Sequence, residues 1–442
     1  MEIIIFGASV SGKSLARYFF KSNQKAFLYD DNSLDNDAIS FFTERNIEII
    51  SEKKFFSLLQ NQACEVILSP GVSLFHPLVL EAKRKKQSIV SETEFGLSKI
   101  KNPIIAITGT NGKSTVASMC HHILNRSGYK TALVGNIGKP VTELLLEKKV
   151  WNFLVLEVSS YQLEQMLKNK FLRCVFLNFS EDHLERHKTL KRYFKAKWSI
   201  FESTNKKAIG YCSEEIKDLA QNFGLIKNKK IPLKPCISKY YTQFIPENLK
   251  KMKHNKENAM TSLKICSSVS NKSAQELSKA LISFKSIPHR FENFAKQGKL
   301  IFIDDSKATN VHATLAALSS SQGKVLLLLG GLSKKGEDFS KILSYQSKIQ
   351  KVLSFGEASD RIKMSLKKSL SVESFDNLHL LMKNLTSFLN EKRSIKTILF
   401  SPACASFDEF QNFSDRGRFF QKEVKKFLMK KDSSSEKRKK NT

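Results

Sequence analysis

The chain has 442 residues, 41% of them hydrophobic, and a formal charge of +31. That length predicts two to four domains rather than one core, and no apolar run reaches the length of a membrane span. The basic balance fits a nucleic-acid surface, steering of polyanionic small substrates or a lysine-biased composition; lysines spread along the chain, with no nucleic-acid module, favour the last.

The opening MEIIIFGASVSGKS has no basic leader and no cleavage site, so it predicts a strand and a turn, not a secretion signal. A strand over 2–6, a helix over 14–22 and a strand over 26–29 ending in Asp30-Asp31 outline a dinucleotide-type unit. Its glycine pattern is incomplete: Gly7 and Gly12 are present, and Ser9 takes the middle place. Further strands are expected over 66–68 and 89–91. A second block starts near Pro103, with strands over 131–134, 153–156 and 175–177, each followed by a polar turn. A third begins around Pro288-His289-Arg290, with strands over 301–303, 324–329, 352–355 and 397–400.

Strands alternating with helices predict an α/β protein of three domains. The expected parts are a Rossmann-like N-terminal domain over 1–93 and a central P-loop-type mononucleotide-binding parallel sheet over 94–287. A Rossmann-like C-terminal domain over 288–430 and a basic, disordered tail over 431–442 complete the chain. Seven cysteines without a CxxC pair read as free buried thiols of a reducing cytosol, so the expected location is cytoplasmic.

The stretch IIAITGTNGKSTV, starting at Ile104, carries the most chemistry. A β-branched run enters a turn built on Gly109, Thr110, Asn111 and Gly112, and Lys113-Ser114-Thr115 opens a helix. Backbone N–H groups there face an anion, Lys113 adds a point charge, and a Ser114 or Thr115 hydroxyl suits Mg²⁺. Glu157 ends the apolar run FLVLE, the position of a Mg²⁺ carboxylate downstream of a phosphate loop. His183, in SEDHLERH, reads either as a metal ligand or as structural, with Asp182 capping a helix.

Helical spacing in LKRYFKAKWSIFE puts Leu190, Phe194, Lys197, Trp198 and Phe201 on one face. A lysine among apolar groups is either a lowered-pKa, reactive amine or a snorkelling side chain. Asp305, Ser306, Lys307 and Thr309 follow a strand and suit a polar ligand or a transferred phosphate. Arg290 is placed to reach a γ-phosphate.

Taken together, the ordered motifs TGTNGKST, GNIG, LEVSSYQLE, SEDH with YFKAKWSIF, HNKENA, HRFE, DDSKATN, LLGG and SPACASFDEFQNF with its following RG resemble the Mur ligase family. The resemblance runs from Gly7 to about Phe427, and DDSKATN, LLGG and SPACASFDEF are closest to its glutamate-adding members. It implies that the first domain binds the UDP end of the substrate, the second ATP and the third the incoming amino acid. The implied reaction joins UDP-N-acetylmuramoyl-L-alanine and D-glutamate at the expense of ATP, through an acyl phosphate and a tetrahedral intermediate.

The resemblance also implies residue roles. Lys113 would contact the β- and γ-phosphates, Ser114 or Thr115 one Mg²⁺, and Glu157 and His183 the two expected ions. Lys197 matches the family's carbamylated lysine, whose carboxylate would ligate Mg²⁺. Asn258 and Arg290 would lie at the nucleotide, with Asp305 and Lys307 near the ribose and the transferred phosphate. Thr309, Ser406, the Phe413 backbone and Lys335, with Lys334 an alternative, would hold glutamate. Asn136 would touch the muramoyl part and Ser159 the link between substrate and metal. Val10, Ser11 and Asp30 would meet uridine, although the arginine of some relatives is missing after Asp30-Asp31. A monomer is expected, with no nucleic-acid partner and no membrane insertion.

Three other readings are distinguishable. A nicotinamide-dependent dehydrogenase would use no ATP, and a nucleic-acid-driven NTPase would respond to DNA or RNA with steep salt dependence. Another ligase of the superfamily, such as folylpolyglutamate synthase, would not call for DDSKATN and SPACASFDEF.

Overall fold

The structure is a computed structural model that describes residues 1–250, 253–285, 287–334, 336–391 and 394–439. The first sheet contains β1 (Glu2–Phe6), β2 (Ala26–Tyr29), β3 (Ile47–Ile49), β4 (Cys64–Leu68) and β5 (Ser88–Ser91), in the order β3-β2-β1-β4-β5. The second contains β6 (Ile104–Thr108), β7 (Thr131–Gly135), β8 (Phe153–Glu157), β9 (Arg173–Phe176), β10 (Ile209–Cys212) and β11 (Leu233–Pro235), in the order β11-β10-β9-β6-β8-β7. Both are wholly parallel.

The third sheet contains β12 (Glu292–Gln297), β13 (Leu300–Asp304), β14 (Lys324–Gly330), β15 (Ile349–Phe355), β16 (Val372–Phe375) and β17 (Ile395–Ala403), in the order β12-β13-β17-β14-β15-β16. Only β12 runs antiparallel. Central strands buried on both faces read as continuous apolar runs, and this is what the sequence shows in EIIIF, IIAIT and KVLLLLG.

The three sheets match the three α/β blocks expected. The chain forms two compact units: the first is Met1–Phe179, Thr189–Lys251 and Asn255–Phe284, and the second is Ser180–Lys188, Met252–His254 and Lys285–Thr442. The first two sheets share one unit, and polar contacts join them. The Glu92 carboxylate accepts from Thr142 N at 2.8 Å and Thr142 Oγ1 at 2.7 Å, and Arg17 pairs with Glu143 at 2.8 Å.

The unpredicted strands are β3, β10, β11, β12 and β16. All but β10 lie at a sheet edge, where one side meets water and a short strand needs few apolar residues. A helix runs over Phe413–Lys439, into the stretch expected to be a tail. Among the described residues no helix is long and apolar enough to cross a membrane, and all seven cysteines are buried and free.

Candidate functional site

In the first unit, β6 sits between β8 and β9, in register so that Ile107 lies beside Glu157 and Thr108 beside Phe176. The loop after Thr108 therefore opens at the shared C-terminal edge, where ligands of parallel sheets bind. Gly112 caps the helix Lys113–Arg126 with φ +85°, and an added Cβ there would stand 3.0 Å from Asn258 Oδ1. Asn258 thus lies beside the loop. The loop is held open by Asn178, which accepts from Asn111 N at 2.8 Å and donates to Asn111 O at 3.0 Å, while its carbonyl accepts from Thr110 N. Asn178 was not singled out from sequence; its only signal was its place after the β9 run.

Lys113 Nζ donates to the carbonyls of Gly109 and Thr110, both at 2.9 Å. Ser114 and Thr115 are buried in the first turn of the helix. Lys197 is 1% exposed, while Lys191 and Lys195 are exposed, as the helical spacing predicts. Leu190, expected on the buried face, is exposed because it stands at the first turn of its helix. Lys197 Nζ donates to Gly109 O at 2.8 Å and lies 4.7 Å from the Tyr193 ring centroid. The snorkelling alternative is excluded for this side chain.

Glu157 is 1% exposed. Its Oε1 accepts from Asn136 Nδ2 at 2.8 Å, and Asn136 N donates to Glu157 O. Glu157 Oε2 and Thr115 Oγ1 are buried without a hydrogen-bond partner among the described residues. An unpaired buried carboxylate oxygen costs free energy unless something meets it. Hard oxygen donors at a strand end and in the first turn of a neighbouring helix fit Mg²⁺. Ser159 completes a capping box with Gln162 at the start of the helix Ser160–Gln165.

At the end of the first sheet, Asp30 Oδ2 accepts from Ala8 N at 2.7 Å and Oδ1 from Asn32 N at 2.9 Å. Val10 and Ser11 open the following helix, both exposed or nearly so.

The second unit holds His183, Arg290, Asp305, Lys307, Thr309, Ser406 and Phe413. His183 adopts φ +54° and lies 3.6 Å from Asp182 Oδ2 and 3.5 Å from Glu185 Oε1. Asp182 does not cap a helix with its side chain. It is buried and accepts from Lys334 Nζ at 2.6 Å and Asn310 Nδ2 at 3.0 Å. Burial pushes its carboxyl up, but the charges of Lys334 and His183 outweigh burial and hold it below the usual carboxylate range. Lys334 is therefore engaged with Asp182; Lys335 lies outside the described residues.

Both oxygens of Asp305 have partners: Oδ1 accepts from Phe291 N at 3.0 Å and Oδ2 from Ser401 Oγ at 2.8 Å. Burial pushes its carboxyl up to about 7, against the opposing pull of Ser401, Phe291 N–H and Arg290. Lys307 Nζ lies 4.8 Å from the Phe413 ring centroid, Ser406 is buried, and Thr309 is half-buried. Phe413 O accepts from Ser306 Oγ at 2.8 Å.

Arg416 was read only as part of the RG motif. Fully buried, it donates to Ser306 O at 2.9 Å, Cys404 O at 3.0 Å and Ala405 O at 2.9 Å, tying together the ends of β13 and β17. Burial lowers its guanidinium to about 10.

A family model described as "Mur ligase middle domain" matches residues 107–275. The UDP-N-acetylmuramoylalanine–D-glutamate ligase of Leptospira interrogans (serovar copenhageni) is 32% identical, over 98% of this chain and 98% of that one. The ligase of the same name from Buchnera aphidicola subsp. Schizaphis graminum is 35% identical, over 95% and 96%. The crystal structure of MurF ligase from Thermotoga maritima in complex with ADP shares the fold at a TM-score of 0.54 and 14% identity, over 85% of this chain and 90% of that one.

Proposed function

The chain belongs to the Mur ligase family, and from that premise we propose that it joins D-glutamate to UDP-N-acetylmuramoyl-L-alanine with ATP, in peptidoglycan precursor synthesis. In this reading the muramoyl-alanine carboxylate attacks the γ-phosphorus and ADP leaves. The glutamate amine, having lost a proton, then attacks the acyl phosphate, and phosphate leaves from the tetrahedral intermediate. Two polyanions must approach each other, so fixed cations and backbone N–H groups must offset charge as it develops.

The observation that supports this most is the edge of the second sheet. There a buried, unpaired Glu157 Oε2 lies one strand from a phosphate loop that carries Lys113 and accepts a hydrogen bond from Lys197. Magnesium, when bound, supplies positive charge to the transferring phosphoryl group. Ser114, Glu157, His183 and a carbamylated Lys197 are proposed to hold two such ions. Asn136, bonded to Glu157 through side chain and backbone, orients that carboxylate besides any contact with substrate. Lys113, Asn258, Arg290, Asp305 and Lys307 are proposed to serve the nucleotide and the transferred phosphate. Thr309, Lys335, Ser406 and the Phe413 backbone are proposed to serve glutamate, with Val10, Ser11, Asp30 and Ser159 on the nucleotide-sugar side. The three blocks then divide the work as UDP-sugar, ATP and amino-acid domains in a cytoplasmic monomer.

The test is release of ADP and phosphate from ATP, Mg²⁺ and UDP-N-acetylmuramoyl-L-alanine, with D-Glu, L-Glu, L-Ala and L-Lys offered in turn. Turnover with D-Glu alone is expected. Turnover with a different amino acid would move the specificity, and ATPase activity raised only by nucleic acid would overturn the ligase reading.

A further inference from the structure

Arg290 is flanked by two non-glycine residues in the left-handed region, His289 at φ +59° and Phe291 at φ +45°. A bulky side chain there costs on the order of 1–3 kcal/mol and persists only where the surroundings over-determine it. The surroundings do so here, all within the second unit. Phe291 N donates to Asp305 Oδ1 at 3.0 Å, His289 N to Glu292 Oε2 at 2.8 Å, and Lys307 N to His289 O at 3.0 Å. The His289 ring bonds through Nδ1 to the fully buried Asp304 Oδ2 at 2.7 Å.

His289, Glu292 and Asp304 bring their ligand-type atoms within 4.8 Å of one another, as a cation site would. An amide fills that role: Gln421 Nε2 donates to Asp304 Oδ2 at 2.9 Å and Glu292 Oε2 at 3.1 Å. The ring also lies close against the helix Phe413–Lys439 at Gly417. A Cβ on Gly417 would stand 2.3 Å from His289 Nδ1 and 2.6 Å from its Cγ. Gly417 has an ordinary helical backbone, so the glycine is required by this approach and not by its own conformation.

We propose that His289, seated between Asp304 and the bare backbone of Gly417, is a positioning residue that holds the strained turn presenting Arg290 to the nucleotide. This rests on the ligase reading for the role of Arg290. It assigns Asp304 and Gly417 a part in catalysis through His289, without contact with any substrate. A shift of about 1 Å in a reacting group is enough to cost about 10²-fold in rate.

Gly417→Ala tests it, because alanine favours a helix and the substitution harms only what lies against it. The expected result is a fall of roughly 10- to 100-fold in kcat/KM for ATP with the circular dichroism of the native fold retained. His289→Ala is expected to fall similarly, and Gly417→Ala added to it should cost nothing more, since the clash is gone. His289→Asn should recover much of the rate, because asparagine tolerates the left-handed backbone and keeps a donor for Asp304. If Gly417→Ala does not fold, the contrast between His289→Ala and His289→Asn decides the matter. Wild-type rates in Gly417→Ala, an undiminished Gly417→Ala loss in the His289→Ala background, or equal losses in His289→Ala and His289→Asn would overturn the inference. A wild-type protein without ATP turnover would instead remove the ligase reading and this inference with it.

Discussion

The loops after β6 and after β13 contain similar residues, yet they use them in opposite ways. Each follows a buried parallel strand and offers hydroxyls and a lysine, with a carboxylate close by. Near the first loop, Glu157 Oε2 and Thr115 Oγ1 are buried without partners among the described residues. In the second, Asp304 and Asp305 spend their oxygens on His289, Ser306, Gln421, Phe291 and Ser401. A buried polar atom left unpaired is a place for a ligand, and one fully paired is a brace for something else. The same residue types thus keep carboxylate oxygens open at one strand end and spend them at the other.

The contrast is broken most severely at Lys197. Lys197→Ala removes the Nζ donor at Gly109 O and is expected to lower ligation by at least ~10²-fold, with the far-ultraviolet circular dichroism of the native fold retained. Full activity in that variant would end the carbamate role. A brace should fail differently, in stability rather than chemistry alone. Lys334→Met leaves Asp182 buried beside Asn310 without its cation, at a cost of about 3–5 kcal/mol in urea unfolding. A loss below 1 kcal/mol would show that Asp182 is well solvated.

Asp305 offers a sharper test, through pH. Its folded carboxyl is raised to about 7, above the ordinary value near ~3.9. Between those values the unfolded chain has lost a proton that the folded chain keeps, so stability from this group falls as pH rises. Asp305→Asn should flatten the wild-type decline between about pH 4 and about 7 when thermal midpoints are compared. Parallel curves for the two proteins would mean that Asp305 is ionised throughout. The smallest effect is expected at Ser159, whose hydroxyl completes a capping box. Ser159→Ala should cost about 1 kcal/mol of stability and raise the KM for the nucleotide-sugar. An unchanged KM would leave Ser159 with the cap alone.

Much of this was legible in the residues. The strand runs, the turn from Gly109 to Gly112 and the helix it opens depend on local backbone chemistry. The place of Lys197 on an apolar helix face followed from spacing over a dozen residues, but the burial of its amine did not. Edge strands such as β12 and β16 were not legible, because their half-exposed faces carry no continuous apolar signal.

The sequence by itself determined the parallel α/β plan, the phosphate loop and the set of carboxylates and lysines available for chemistry. Only the tertiary structure decided which of those groups stay open and which are consumed. Asp182 meets Lys334 across 152 residues, and Arg416 meets Ser306 across 110. The physical reason is that a carboxylate's role depends on its hydrogen-bond partners, and those partners are brought to it by the packing of distant strands and helices, not by its neighbours in the chain.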